Sequence, residues 1–155
     1  WVGRNEELKR PEIFIDLARK FPEEKFMMIC GGWRGNVNLP NLEIKEWPSF
    51  SETEQYFSRA KIFINTSTVE GFPNTFIQAA KNGVPVLSLA VDSAVGISCQ
   101  DNQGLLVIEL KNILSNKNWW NDLARNGYQY ANKNCDLRKI IEMDKIRIKK
   151  LVLKS

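Results

Sequence analysis

Glu70-Gly71-Phe72-Pro73-Asn74-Thr75-Phe76-Ile77-Gln78-Ala79-Ala80, running on to Asn82-Gly83-Val84-Pro85-Val86, is the stretch on which the fold turns. The run before it, Lys61-Ile62-Phe63-Ile64-Asn65-Thr66-Ser67, is β-branched and aromatic and reads as a buried strand. Pro85-Val86-Leu87-Ser88-Leu89-Ala90 reads as another. Between them the chain turns at Gly71 and starts a helix near Pro73, a residue favoured in the first helical turn. Gly83 supplies the C-terminal stop, with Pro85 two residues beyond. The unit is strand, acidic-glycine turn, short helix, strand.

Such a unit has directional chemistry. Gly71 admits a ligand close to the backbone, and the amides of Asn74 and Thr75 sit at the positive end of a helix dipole, which suits phosphate. Gln78 follows Asn74 by one helical turn and shares its side, roughly 6 Å along the axis. Glu70 stands on the other side of the turn. A carboxylate, helix amides and an amide side chain in series fit a sugar, a phosphate and a ribose. An ordinary βαβ crossover with solvated polar residues would use the same elements.

Working outward, Pro11 opens a helix with Ile13, Phe14, Leu17, Ala18 and Phe21 on one face, and Arg4 and Lys9 bracket the loop before it. Two cations there can neutralise a pyrophosphate. Lys25 to Gly32 is a strand ending in the pair Gly31-Gly32, and residues 33–41 form a surface loop. Leu42 to Pro48 is a short strand and turn carrying Trp47, which stacks on a base or fills the core. Ser51 and Glu54 have capping-box spacing for the next helix, which sends Tyr56, Phe57 and Ala60 inward. Val91 to Ile97 reads as a loop, with helices over 108–116, 119–132 and 136–152. The whole is α/β, a Rossmann-like parallel sheet flanked by helices. Arg4, Gly32, Trp47 and Glu70 all follow expected strands, where ligands of such sheets bind.

The central stretch resembles the signature of the retaining glycosyltransferases of family 4, which have the GT-B fold. Their pattern, S-x-x-E-G-F-P-N followed by A and G-x-P-V, is met by Ser67, Glu70, Gly71, Phe72, Pro73, Asn74, Ala79, Gly83, Pro85 and Val86. Val2-Gly3-Arg4 and Lys9 resemble the family's V-G-R and lysine. The resemblance implies one half of a GT-B fold, the donor-binding domain, with Glu70 catalytic on the donor sugar. It implies Arg4 and Lys9 on the diphosphate, with Gly32, Trp47, Gly71, Phe72, Pro73, Asn74 and Thr75 also binding substrate. The family's second acid is Gln78 here; it is expected to hold the ribose as a neutral partner, since an amide both accepts and donates. Restoring an acid at 78 is expected to keep or improve donor binding. The family commonly has glycine at the position of Glu46, and the chain is several residues shorter than the pattern at 104–108.

Length and composition bound these readings. With 155 residues, 43% of them hydrophobic, one domain over 1–155 is expected. Opening on Trp1-Val2-Gly3-Arg4, it reads as a piece of a longer chain whose N-terminal acceptor-binding domain is its partner. There is no histidine, which excludes His-based acid–base chemistry and His-ligated metals. No metal and no cofactor are implied; the NDP-sugar enters as substrate. Three widely spaced cysteines read as reduced thiols of a cytoplasmic protein. The net charge of +4 gathers in the tail, where residues 133–155 hold eight basic and three acidic side chains. That tail reads as a solvated helix face, with nucleic acid or anionic lipid as other partners of such charge. The resemblance implies no nucleic acid, and peripheral contact of the full-length enzyme with the inner face of the membrane.

Two functions follow: part of an enzyme transferring sugar to a glycan or lipid-linked glycan, or a non-catalytic nucleotide-sugar module in which Gln78 marks decay. No acidic pair follows the first strand, which argues against a phosphoacceptor receiver domain.

Overall fold

A computed structural model describes residues 1–71 and 73–135. Phe72, the helix expected over 136–152 and nearly all of the basic tail lie outside the described residues.

Strands and helices alternate. β1 (Val2–Arg4), a 3-10 turn (Glu7–Lys9), α1 (Pro11–Lys20), β2 (Phe26–Gly31) and β3 (Leu42–Lys45) come first. α2 (Phe50–Arg59), β4 (Phe63–Asn65), α3 (Asn74–Lys81) and β5 (Val86–Ser88) follow, then β6 (Gly96–Ser98), α4 (Gln103–Ser115) and α5 (Lys117–Asn134). All pairings are parallel, with β1-β2-β3 in one sheet and β4-β5-β6 in another. The expected Rossmann-like α/β architecture is therefore present, in two halves. They are tied through Thr66, just past β4. Its hydroxyl accepts from Trp1 Nε1 at 2.8 Å and donates to the Lys9 carbonyl at 2.7 Å. Its carbonyl accepts from Arg10 Nε at 2.8 Å.

Alternation along the strands builds two cores. Ile64 and Leu87 face one side, with Ile13, Phe14 and Leu17 of α1 and Leu106, Leu110 and Ile113 of α4. Phe63 and Val86 face the other, with Phe57 of α2, Phe76, Ala79 and Ala80 of α3, and Ala131 of α5. Strands covered on both faces read as continuous apolar runs, which is why the run before Glu70 was legible. Phe76 is fully buried and meets Phe63 edge-on at 6.0 Å. Burial of such a ring stabilises by about 1.5–3 kcal/mol, and Phe76→Ala would cost about 3–5 with the cavity it leaves. Phe76 thus anchors α3, whose first turn faces the site.

Several local expectations change. Pro73 is the residue before α3 rather than its first member. The capping box is made by Ser49 and Glu52, not by Ser51 and Glu54: Ser49 accepts from the Glu52 amide at 3.2 Å, and Glu52 accepts from the Ser49 amide at 2.9 Å. Both serines have the spacing, but the helix starts directly after Ser49, and Glu54 points to α3 instead. Gly96 to Ser98, expected to be loop or unassigned, is a strand on β5. α4 begins five residues earlier than expected because Asn102 accepts from the Leu105 amide at 3.0 Å and caps it. Gly83 does end α3 in the left-handed region, at φ +68°.

Candidate active site

The carboxyl ends of β1, β2, β3 and β4 carry the expected residues. Arg4 ends β1; it is 70% exposed and its only ion pair among the described residues is a loose one to Glu6 at 3.5 Å. Such a pair is worth little, so the guanidinium is available to an anion. Lys9 ends the 3-10 turn and reaches the loop after β4, where its ammonium is bonded to the carboxylate of Glu70. The two side chains are 24% and 19% exposed, so the pair is sheltered but within reach of a ligand. Ser67 Oγ donates to the same oxygen, Glu70 Oε1, at 2.8 Å. Among the described residues no partner falls on Oε2.

Backbone and helix complete this side. The Thr68 amide donates to the Leu8 carbonyl at 2.9 Å, which holds the Lys9 turn against the Glu70 loop. Among the described residues no side chain caps α3, which leaves the amides of Asn74 and Thr75 without a side-chain acceptor at its positive end. A Cβ on Gly71 would meet nothing within 4 Å. The glycine is required neither by the packing nor by a left-handed φ, and it leaves open space beside Glu70.

Across the site, Gly32 takes φ +73°, a conformation for which glycine is suited, and its amide donates to Glu46 Oε1 at 3.2 Å. Glu46, where a glycine is common in the resembling family, thus pins the β2 and β3 loops together. Trp47 follows with φ +37°, strained for a bulky residue. Its indole lies where a Cβ of Gly31 would be, 1.8 Å from Cε2, yet the residue is 57% exposed. Core filling is therefore excluded for Trp47, whose ring packs on the Gly31 backbone and is otherwise open.

Gln78 has a partner that the sequence did not reveal. Its Nε2 donates to Glu54 Oε1 on α2 at 3.0 Å, and Asn82 Nδ2 donates to Glu54 Oε2 at 3.4 Å. Sequence reasoning also passed over Arg10, which takes φ +48° and pairs with Asp101 at 2.7 Å. Asn65 and Ser88 were missed too, although a polar residue inside an apolar strand run is a readable signal. Phe72 lies outside the described residues.

A cavity of about 930 Å³ opens elsewhere, lined by residues such as Trp1, Phe26, Leu42, Phe63 and Leu110. Trp1, Phe26, Leu42 and Phe63 lie at the amino ends of their strands, so it opens opposite the site and contains none of the expected site residues.

Residues 1–115 match the family model described as glycosyl transferases group 1. A sucrose-phosphate synthase of Zea mays is 35% identical over 75 residues, which are 43% of this chain and 7% of that protein. The structure of a sucrose-phosphate synthase from Thermosynechococcus elongatus superposes with a TM-score of 0.82 at 18% identity, over 99% of this chain and 46% of that one. HepE of Anabaena, in complex with UDP-glucose, gives 0.75 at 14% identity, over 96% of this chain and 48% of that one. The chain spans less than half the length of each of these proteins. At such identities the two structures speak for the fold, parallel strands flanked by helices as in one half of a GT-B enzyme.

Proposed function

The chain belongs to the glycosyl transferases of group 1, and from that premise we propose that it is the donor-binding domain of a retaining, metal-independent enzyme of family 4. It takes an NDP-sugar and, with an N-terminal acceptor domain, transfers the sugar to a glycan or lipid-linked glycan. The enzyme works in the cytoplasm or at the inner face of the membrane. Among the described residues no helix is long and apolar enough to cross a membrane.

One observation carries this reading: Lys9 and Glu70 meet in a sheltered ion pair where the loops after β1 and β4 converge. A diphosphate competes for the Lys9 ammonium and a sugar hydroxyl for the Glu70 carboxylate, so one donor can satisfy both. Arg4, Lys9 and the amides of Asn74 and Thr75 hold the leaving phosphates. Glu70 accepts from sugar hydroxyls and helps place the anomeric carbon, and the departing phosphate takes the acceptor's proton. Gly71 and Pro73 shape the turn, Gly32 borders the site, and the open face of Trp47 receives the base. Neutralisation by these cations and the helix dipole leaves no step that calls for a metal. The UDP-glucose complex of the HepE neighbour supports a nucleotide-sugar ligand. Without an acceptor domain the isolated chain is inactive.

The Gln78–Glu54 bond favours a second reading, a binding module that has lost turnover, because the ribose partner is engaged on α2. A thermal-shift screen against UDP-, GDP- and ADP-sugars tests the donor reading, since a ligand of the folded state raises stability. A rise with one base supports it, and no rise with any of the three contradicts it.

A further inference from the structure

A buried line of hydrogen bonds ends on the Glu70 carboxylate. The Val91 amide donates to Ser88 Oγ at 3.1 Å, and Ser88 Oγ to Asn65 Oδ1 at 3.3 Å. Asn65 Nδ2 donates to Ser67 Oγ at 3.2 Å, and Ser67 Oγ to Glu70 Oε1 at 2.8 Å. The Ser67 amide also donates to Asn65 Oδ1 at 3.2 Å. Asn65, Ser67 and Ser88 are 4%, 1% and 1% exposed, at the ends of strands otherwise filled by Phe63, Ile64, Val86 and Leu87. Three apolar side chains would fill this place at less desolvation cost.

The direction of every proton in the line is forced. A backbone amide only donates, so Ser88 Oγ accepts from Val91 and passes its own proton to Asn65. Asn65 Oδ1, which also receives the Ser67 amide, must be the oxygen, so Nδ2 is the group facing Ser67 Oγ. The Ser67 hydroxyl, having accepted there, has its single proton left for Glu70. Lys9 and Ser67 both bind Oε1, so among the described residues Oε2 is the carboxylate oxygen left without a bond.

We propose that Asn65 is a positioning residue. It orients the Ser67 hydroxyl toward Glu70 and so fixes which carboxylate oxygen meets the donor sugar. This rests on the reading of Glu70 as the acceptor of sugar hydroxyls.

The test is Asn65→Asp in the 155-residue chain, beside Ser67→Ala and the distant control Ser115→Ala. Aspartate keeps the shape and the acceptor for the Ser67 amide, but it draws the Ser67 proton away from Glu70. Two readouts are taken: the carboxyl ¹³C resonance of Glu70, assigned by its loss in Glu70→Gln, and the Kd for UDP-, GDP- and ADP-glucose and for UDP, GDP and ADP. Asn65→Asp and Ser67→Ala should each move the resonance, and Ser115→Ala should not. Kd for the nucleotide sugar that binds should rise about tenfold, with the Kd for its parent diphosphate within about twofold of the unmodified chain. If Asn65→Asp does not fold, the same split in Ser67→Ala decides. Equal loss for sugar nucleotide and diphosphate overturns the proposal, as does an unmoved resonance. If no nucleotide sugar binds the unmodified chain, the donor reading fails, and the resonance alone decides whether the line orients Glu70.

Discussion

Lys9 and Glu70 stand 61 residues apart in the chain and are joined in one ion pair. The pair brings the loop after β1 against the loop after β4. The two charges are sheltered together, with 24% and 19% of their side chains exposed.

Lys9→Ala should weaken a nucleoside diphosphate by about 1.5–3 kcal/mol, the worth of a hydrogen bond to a charged group. A nucleoside without phosphates should bind as before. Arg4→Ala should follow the same pattern, since its guanidinium is open at the end of β1. Calorimetric titrations with uridine and UDP check both, and equal losses would remove these cations from the phosphate site.

Lys9→Ala also leaves Glu70 without its cation. Urea unfolding should show lower stability than in the parent, and Lys9→Ala with Glu70→Gln should cost less than the two changes summed. Simple additivity would mean that the pair is not coupled.

In a full-length enzyme, Glu70→Gln should depress turnover far more than affinity for the nucleotide, because a neutral amide keeps the shape but accepts hydroxyls less strongly. Steady-state kinetics beside nucleotide titration separate the two. Parent-like turnover would end the catalytic assignment.

Gln78→Glu reads differently from structure than from sequence. The resemblance makes it a restoration, but Gln78 donates to Glu54, and two carboxylates would then share that place. Loss of the charge-assisted bond should cost about 1.5–3 kcal/mol at neutral pH. The gap from the parent should narrow in acid as the new carboxyl protonates. Thermal melts at pH 7 and pH 4 check this, and a Gln78→Glu chain as stable as the parent at pH 7 would show that Glu54 is not engaged.

Burial pushes the thiols of Cys30 and Cys99 from 9.0 up to about 11, with the charges of Glu46 and Glu109 adding to it. The folded chain thus holds those protons more tightly than the unfolded one. The stability they contribute is fully present below pH 9 and is lost as pH rises toward 11. Urea midpoints at pH 8, 9.5 and 11 should fall in that order, and Cys135, half-exposed, should alkylate before the other two.

Local signals carried much of this architecture. Apolar runs marked β2, β4 and β5, Pro11 opened α1, and Gly83 closed α3. What the sequence hid was settled by partners far along the chain. Ser49 and Ser51 satisfy the same capping spacing, and only the attraction of Glu54 to α3 separates them. β6 holds one large apolar residue, Ile97, and exists because β5 offers its edge. Sequence leaves Trp47 open between core and ligand, and what removes it from the core is the bare backbone of Gly31, on which its ring lies exposed. For the site, the pattern around Glu70 placed the acid and the helix terminus. The Asn65 line behind Glu70 depended on where β4 and β5 stop side by side, which no short motif records.

The central claim is that a nucleotide sugar binds across the carboxyl ends of β1 to β4. Amide and side-chain NMR shifts of the 155-residue chain, titrated with UDP-, GDP- and ADP-glucose in turn, test it most directly. One of them should move Arg4, Lys9, Gly32, Trp47, Gly71, Asn74 and Thr75 together and leave the cavity residues Phe26, Leu42 and Leu110 in place. Shifts confined to that cavity, or none with all three sugars, would contradict it.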